Sequence, residues 1–172
     1  MDNIEVLITE EDVRARIQEM ADFLSERYAG KELTFVGILN GSVFFMTALA
    51  QAMTIPVTLD FMVASSYGAG TVSSGNVVIE KDLANSIVGK HVLVVEDIVD
   101  SGHTLSLVCE MLRERSPKSL EVCTLLDKPE RRENDFKADF VGFEIPDAYV
   151  VGWGMDADQK YRDLSFIGVV KE

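Results

Sequence analysis

The stretch Val92-Leu-Val-Val-Glu-Asp-Ile-Val-Asp-Ser-Gly-His-Thr104 decides the fold. Val92 to Val95, with His91 before it, is an apolar run of strand length, as a strand covered on both faces requires. Glu96, Asp97 and Asp100 follow. Ser101-Gly102-His103-Thr104 then opens a helix that runs from Thr104 to Arg115, with Leu105, Val108, Cys109 and Leu112 on one side, until Ser116-Pro117 stops it. In an open parallel sheet, ligands bind beyond the C-terminal ends of strands, where these carboxylates and small residues fall.

The flanking sequence continues the same rhythm. Ile4 to Ile8 is a short strand candidate, and Thr9 with Asp12 caps a helix. Val13, Ile17, Met20, Leu24 and Tyr28 form one face of that helix, and Gly30 ends it. Leu33 to Leu39 is a second two-sided strand, and Asn40-Gly41-Ser42 turns into an apolar helix over Val43 to Met53. Val57 to Ala64 is a strand, Ser65 to Asn76 a Gly/Ser-rich loop, and Val77 to Glu80 a resumed strand. Leu120 to Leu126 is the next strand, and a Gly-punctuated, strand-rich segment runs from Phe140 to the strand Phe166 to Val170. The order predicts an α/β fold with a mostly parallel twisted sheet flanked by helices. The two chain ends fall outside that order. They are expected to form a small hood subdomain on a single domain spanning residues 1–172.

Composition narrows the function classes. The 172 residues are 47% hydrophobic and 26% charged, ordinary values for a globular chain. A net charge of −13 makes nucleic acid and anionic membranes poor partners. No apolar run has the length of a membrane span, and the acidic N-terminus lacks a signal-peptide apolar stretch. Cys109 and Cys123 are too few for a disulfide framework and read as buried thiols in a reducing cytoplasm.

The chemistry concentrates in residues 96–104. A helix start with small residues exposes backbone N–H groups and a positive dipole end, which suit a phosphate. Gly102 permits close approach, and the Ser101 and Thr104 hydroxyls add donors. Glu96 and Asp97 would repel a bare phosphate; vicinal sugar hydroxyls or a divalent cation satisfy them. Together the two halves suggest a ribose 5-phosphate. The plain alternative is a capped helix after a strand, but three carboxylates directly before a Ser-Gly-x-Thr turn favour a ligand. No G-x-x-x-x-G-K-[ST] motif exists, and Gly68-Ala69-Gly70 lacks the third glycine and the helix of a dinucleotide fingerprint.

VVEDIVDSGHT resembles the phosphoribosyl-diphosphate motif of the type I phosphoribosyltransferases. GILNGS (37–42), SSYG (65–68), LLDKPERR (125–132) and FEIPDAYVVGWGMDADQKYRDLSFIGVV (143–170) follow in that family's order and resemble its hypoxanthine (hypoxanthine-guanine) branch. The resemblance covers most of the chain from Phe35 onward. It implies transfer of 5-phosphoribosyl from phosphoribosyl diphosphate to N9 of a 6-oxopurine, with Mg2+ as cofactor.

Carried over by position, it implies that Glu96 and Asp97 hold the ribose hydroxyls, partly through the metal. Asp100 is then the proton acceptor near purine N7, and Ser101, Gly102, His103 and Thr104 cradle the 5′-phosphate. Lys128 donates to purine O6, Tyr149 stacks on the base and Val150 meets its exocyclic edge. Asn40, Gly41 and Arg162 face pyrophosphate, Asp156 joins Glu96 and Asp97 as a metal ligand, and Ser66 and Tyr67 belong to a mobile loop. The first peptide bond of the Leu39-Asn40-Gly41-Ser42 loop is often cis in relatives. Asn40 and His103 stand where relatives carry Lys, so only backbone contacts transfer there. The resemblance also implies a homo-oligomer of two or four subunits, with four favoured.

Two other classes were weighed against this reading. VLVVEDI suits the acidic pocket of a signalling receiver domain, but Val92 to Glu172 is short for such a domain and leaves Lys128 and Tyr149 unexplained. A non-catalytic nucleotide- and nucleic-acid-binding regulator conflicts with the acidic charge and with Asp100.

Overall fold

The computed structural model describes residues 3–66 and 77–171. Six strands form the main sheet: β2 (Leu33–Ile38), β3 (Val57–Ser66), β4 (Val77–Lys81), β5 (His91–Val99), β6 (Ser119–Asp127) and β7 (Phe140–Glu144). Their order is β4-β3-β2-β5-β6-β7, parallel throughout except for β4, which returns antiparallel to β3. β1 (Ile4–Ile8), β8 (Val150–Val151) and β9 (Ile167–Val170) make a separate antiparallel sheet in the order β1-β9-β8. Both chain ends thus meet in one small sheet.

The alternation of strand side chains explains the apolar runs. On β5, Leu93 and Val95 face α1 (Glu10–Arg27) and α2 (Val43–Ala52), packing with Phe35, Phe45, Leu49 and Leu24. Val92 and Val94 face the other way, toward Leu105, Val108, Cys109 and Leu112 of α3 (His103–Glu114). A strand covered on both faces has no solvent side on which to place polar residues. The Thr9 cap is present: its hydroxyl accepts from Asp12 N at 3.2 Å and donates to the Asp12 carboxylate at 2.6 Å.

Several boundaries differ from the sequence reading, among them the end of α1, which stops at Arg27 rather than at Gly30. β5 continues to Val99, so Glu96 and Asp97 lie on the strand rather than after it; parallel pairing with β6 persists through Val99 opposite Asp127 and holds the backbone extended. α3 begins one residue early, at His103, because Gly102 takes the left-handed conformation (φ 86°) that closes the turn ahead of it. Ser65 and Ser66 are the last residues of β3, paired with Val78 and Val77, rather than the start of a loop. Phe140–Glu144 joins the main sheet as its edge, paired with β6. Tyr67 and the remainder of the expected mobile loop, 67–76, lie outside the described residues, as does the side chain of Ser66.

β2 leads through α2 to β3 on one side, and β5 leads through α3 to β6 on the other. The gap between the C-terminal ends of β2 and β5 is therefore the switch point at which doubly wound sheets bind ligands.

Candidate active site

Three segments converge at that switch point. The turn after β2 carries Asn40 and Gly41, and the Leu39–Asn40 peptide bond is cis. The end of β5 carries Glu96, Asp97 and Asp100. The segment between β8 and β9 approaches from above: a side chain on Gly41 would meet Asp97 Oδ2 at 2.0 Å, and one on Gly154 (φ 102°) would meet the Gly41 carbonyl at 1.8 Å. Only glycine at both positions lets the carboxylate, the turn and the small-sheet segment touch.

Burial governs the acidic pair. Asp97 is 8% exposed, and desolvation pushes its carboxyl up to about 6 although Ile98 N donates to it at 2.8 Å. Glu96 is partly buried as a residue, yet its Oε1 has neither solvent nor a hydrogen-bond partner. Desolvation, then the charge of Asp97, pushes its carboxyl well above the usual range. A buried acceptor with no donor is costly unless a ligand completes it.

Past Asp97, two small cavities share Asp100 as a wall. One, of about 170 Å3, is lined by Glu96, Asp100, Ser101, Gly102 and Thr104. Ser101 Oγ accepts from His103 N at 3.4 Å, while the imidazole of His103 pairs with Glu133 at 2.8 Å. The other, of about 200 Å3, is lined by Asp97, Asp100, Lys128, Tyr149, Val150 and Asp156. Lys128 is only 6% exposed, and the carboxylate facing its ammonium, that of Asp147, stands 3.9 Å away. Tyr149 is 58% exposed over the opening, with its hydroxyl donating to the Asp156 carbonyl, and Val150 is buried on β8. Asn40 is exposed beside the site.

Arg162 and Asp156 are bonded to each other, Nη2 to Oδ1 at 2.9 Å, and Arg162 also donates to the Gly154 carbonyl at 2.6 Å. The arginine therefore braces the Gly154 approach in addition to facing Asp97. Among the described residues, no three His, Cys, Asp or Glu side chains gather as a ready-made metal cage.

A wider cleft, about 870 Å3, lies at the other end of the strands, among Arg27, Tyr28, Lys31, His91 and Glu121. Its polar groups satisfy one another: Tyr28 and Arg27 both bond Glu121, and His91 bonds Ser119. Cys109 and Cys123 are buried in the core, and burial raises both thiols, so neither is a nucleophile.

Residues 8–160 match the phosphoribosyl transferase domain. The chain belongs to the phosphoribosyltransferase family. It is 52% identical over 169 residues to the hypoxanthine phosphoribosyltransferase of Salmonella typhimurium, covering 97% of this chain and 95% of that protein. It is 48% identical over 166 residues to the hypoxanthine-guanine phosphoribosyltransferase of Bacillus subtilis, covering 96% and 92%. The crystal structure of a hypoxanthine phosphoribosyltransferase from Staphylococcus aureus superposes with a TM-score of 0.96 at 47% identity, covering 99% of this chain and 93% of that one.

Within this phosphoribosyltransferase, several residues that shape the site lie inside the family-like motifs without an individual role readable from the sequence. Arg131, Arg132, Asp147 and Gly154 are examples. Arg132 donates to the Asp100 carbonyl at 3.3 Å and pairs with buried Asp127. Asp100 lies on a different segment from both arginines, so no local spacing announces these contacts. No helix among the described residues is long and apolar enough to cross a membrane.

Proposed function

We propose that this phosphoribosyltransferase moves the 5-phosphoribosyl group from phosphoribosyl diphosphate to N9 of hypoxanthine, and of guanine, forming the nucleoside monophosphate and pyrophosphate in purine salvage. One observation carries the reading. A sugar-phosphate cavity and a base cavity share Asp100, and the base cavity ends on a buried lysine with, among the described residues, no acidic partner nearer than 3.9 Å.

Each side chain then has a task set by its chemistry. Backbone N–H groups of Ser101 to Thr104, with the Ser101 and Thr104 hydroxyls, receive the 5′-phosphate at the α3 N-terminus. The purine lies beneath Tyr149 with its exocyclic edge at Val150, and its O6 accepts from Lys128. As the C1′–pyrophosphate bond breaks, the electron pair leaves with pyrophosphate and N9 bonds to C1′. Asp100, beside N7, receives the proton that the purine gives up. Arg162 and the Asn40-Gly41 backbone meet the leaving charge. Ser66 and Tyr67 belong to the loop that excludes water from the developing cation.

Phosphoribosyltransferases of this branch generally use a divalent metal. The residues present fit Mg2+, which keeps several waters and takes few protein carboxylates. Glu96 offers an unpartnered buried oxygen, Asp97 lies beside it, and no complete protein cage competes among the described residues. Glu96, Asp97 and Asp156 would hold it, and the chemistry it supplies is neutralisation of pyrophosphate charge. The small sheet acts as a hood on one catalytic domain spanning 1–172. The enzyme is cytoplasmic, with no nucleic acid or membrane partner, and forms a homo-oligomer of four subunits rather than two, which sedimentation can count.

The test is direct. Purified protein with phosphoribosyl diphosphate, hypoxanthine and Mg2+ releases pyrophosphate and forms the nucleotide in equal amounts. Absence of both products overturns the reading.

A further inference from the structure

Asp100 is held from two directions by consecutive arginines on the turn after β6. Arg132, largely buried, reaches the main chain: its Nε donates to the Asp100 carbonyl at 3.3 Å, its Nη1 to the Phe136 carbonyl at 3.1 Å, and its Nη2 pairs with Asp127. Arg131 reaches the side chain: its Nε donates to Asp100 Oδ1 at 3.1 Å. The same Nε stands 3.9 Å from Asp147 Oδ1, and that carboxylate oxygen stands 3.9 Å from Lys128 Nζ.

Arg132 is part of the scaffold, closing a buried ion pair beneath the turn. Arg131 is different. Its side chain is 50% exposed and its ionic partners are Asp100 and Asp147. An exposed pair of this kind adds little to folding. What it does is fix a direction. Unheld, the Asp100 carboxylate would swing about its own χ angles at the boundary between the two cavities. With one oxygen tied to Arg131, the other is left for the base cavity.

We propose that Arg131 is a positioning residue for the purine step: it fixes the Asp100 carboxylate against the base cavity. This rests on the reading of Asp100 as the proton acceptor. A planar guanidinium suits the task because its Nε–H is fixed in the plane of the group and donates to Asp100 along one direction; an ammonium is a freely rotating point charge. Misplacing a reacting group by about 1 Å costs roughly 10²-fold in rate.

The experiment is steady-state kinetics of the full chain carrying Arg131→Met, Arg131→Lys, Asp100→Asn, and Arg131→Met with Asp100→Asn together. Arg131→Met is expected to lower kcat with hypoxanthine by about 10- to 100-fold, with KM for phosphoribosyl diphosphate within about twofold and an unchanged Tm. Arg131→Lys recovers part of the loss. In the Asp100→Asn background, removing Arg131 costs no further activity, because the group it positions has already lost its function. Turnover of Arg131→Met equal to wild type, or full additivity of the two losses, overturns the proposal while leaving the Asp100 assignment standing. Wild-type turnover by Asp100→Asn overturns both.

Discussion

Asp97 and Asp100 stand three residues apart and face different demands. Asp100 is reachable from both cavities, and in the proposed function it receives the proton of the base. Asp100→Asn should lower kcat by about 10²–10⁴-fold, the usual contribution of general acid–base assistance, with KM for phosphoribosyl diphosphate changed by no more than a few-fold. Steady-state kinetics with hypoxanthine checks both halves of the statement. Asp97 is a different case, because burial lifts its carboxyl from 3.8 to about 6. The sign follows from linkage: between those values the folded protein retains a proton that the unfolded chain has released. The free protein should therefore lose stability as pH rises from about 4 to about 6. Ligands that need the ionised pair reverse the preference, so phosphoribosyl diphosphate with Mg2+ should bind more weakly below about pH 6. Thermal melts across that window, with and without the two ligands, should converge at acid pH and separate at neutral pH. A ligand-induced rise in Tm that stays constant from pH 5 to 8 would contradict the assignment of Asp97 to the substrate complex.

At the scale of elements, apolar runs and caps were legible, and their ends were less so. α1 is visible from its Thr9 cap and its single apolar face, but it stops at Arg27 with Tyr28 as its C-cap, three residues before the Gly30 that the sequence suggests. The end of β5 was misplaced because Glu96 and Asp97 look like loop residues; what keeps them on a strand is pairing with β6, a partner beyond local view. The same limit hid the contacts of Arg131 and Arg132, whose partner Asp100 lies about thirty residues upstream. It also hid Asp60 on β3. That carboxylate is 6% exposed and accepts from the backbone N–H groups of Phe61, Ala84 and Asn85, pinning the segment between β4 and β5 to the sheet. Burial alone would raise its pKa, but these bonds outweigh burial and hold the carboxyl below the usual range. Asp60→Ala strands these donors. Leaving buried donors unpaired costs about 1–3 kcal/mol, which lowers Tm by about 2–12 °C in a chain of this size. Calorimetry of the variant measures it; an unchanged Tm would show that water replaces the carboxylate without penalty.

For the whole molecule, the main sheet supplies Asp97, Asp100 and Lys128, and the segment after β7 supplies Tyr149, Val150 and Asp156. The base cavity exists only where the two meet. Sequence motifs named its walls, whereas the contact that sets their spacing, Gly154 on Gly41 on Asp97, is visible only in the fold. Gly154→Ala must push the small-sheet segment off the turn. It should raise KM for phosphoribosyl diphosphate and lower Tm together, and a variant with wild-type values for both would show that the contact yields. Purine choice is a property of the assembled cavity as well. Lys128 is buried with its nearest carboxylate 3.9 Å away, a donor waiting for an acceptor. The 6-oxo group provides one, whereas the amino group of adenine leaves the ammonium unpaired. Sites of this kind discriminate by about 10⁴-fold or more. The measurement that tests this most directly is kcat/KM for hypoxanthine and for adenine, in wild type and in Lys128→Ala. The account predicts strong wild-type preference for hypoxanthine and, in the variant, a large loss confined mainly to hypoxanthine that narrows the ratio. Comparable wild-type turnover of adenine, or a ratio untouched by the substitution, would contradict it.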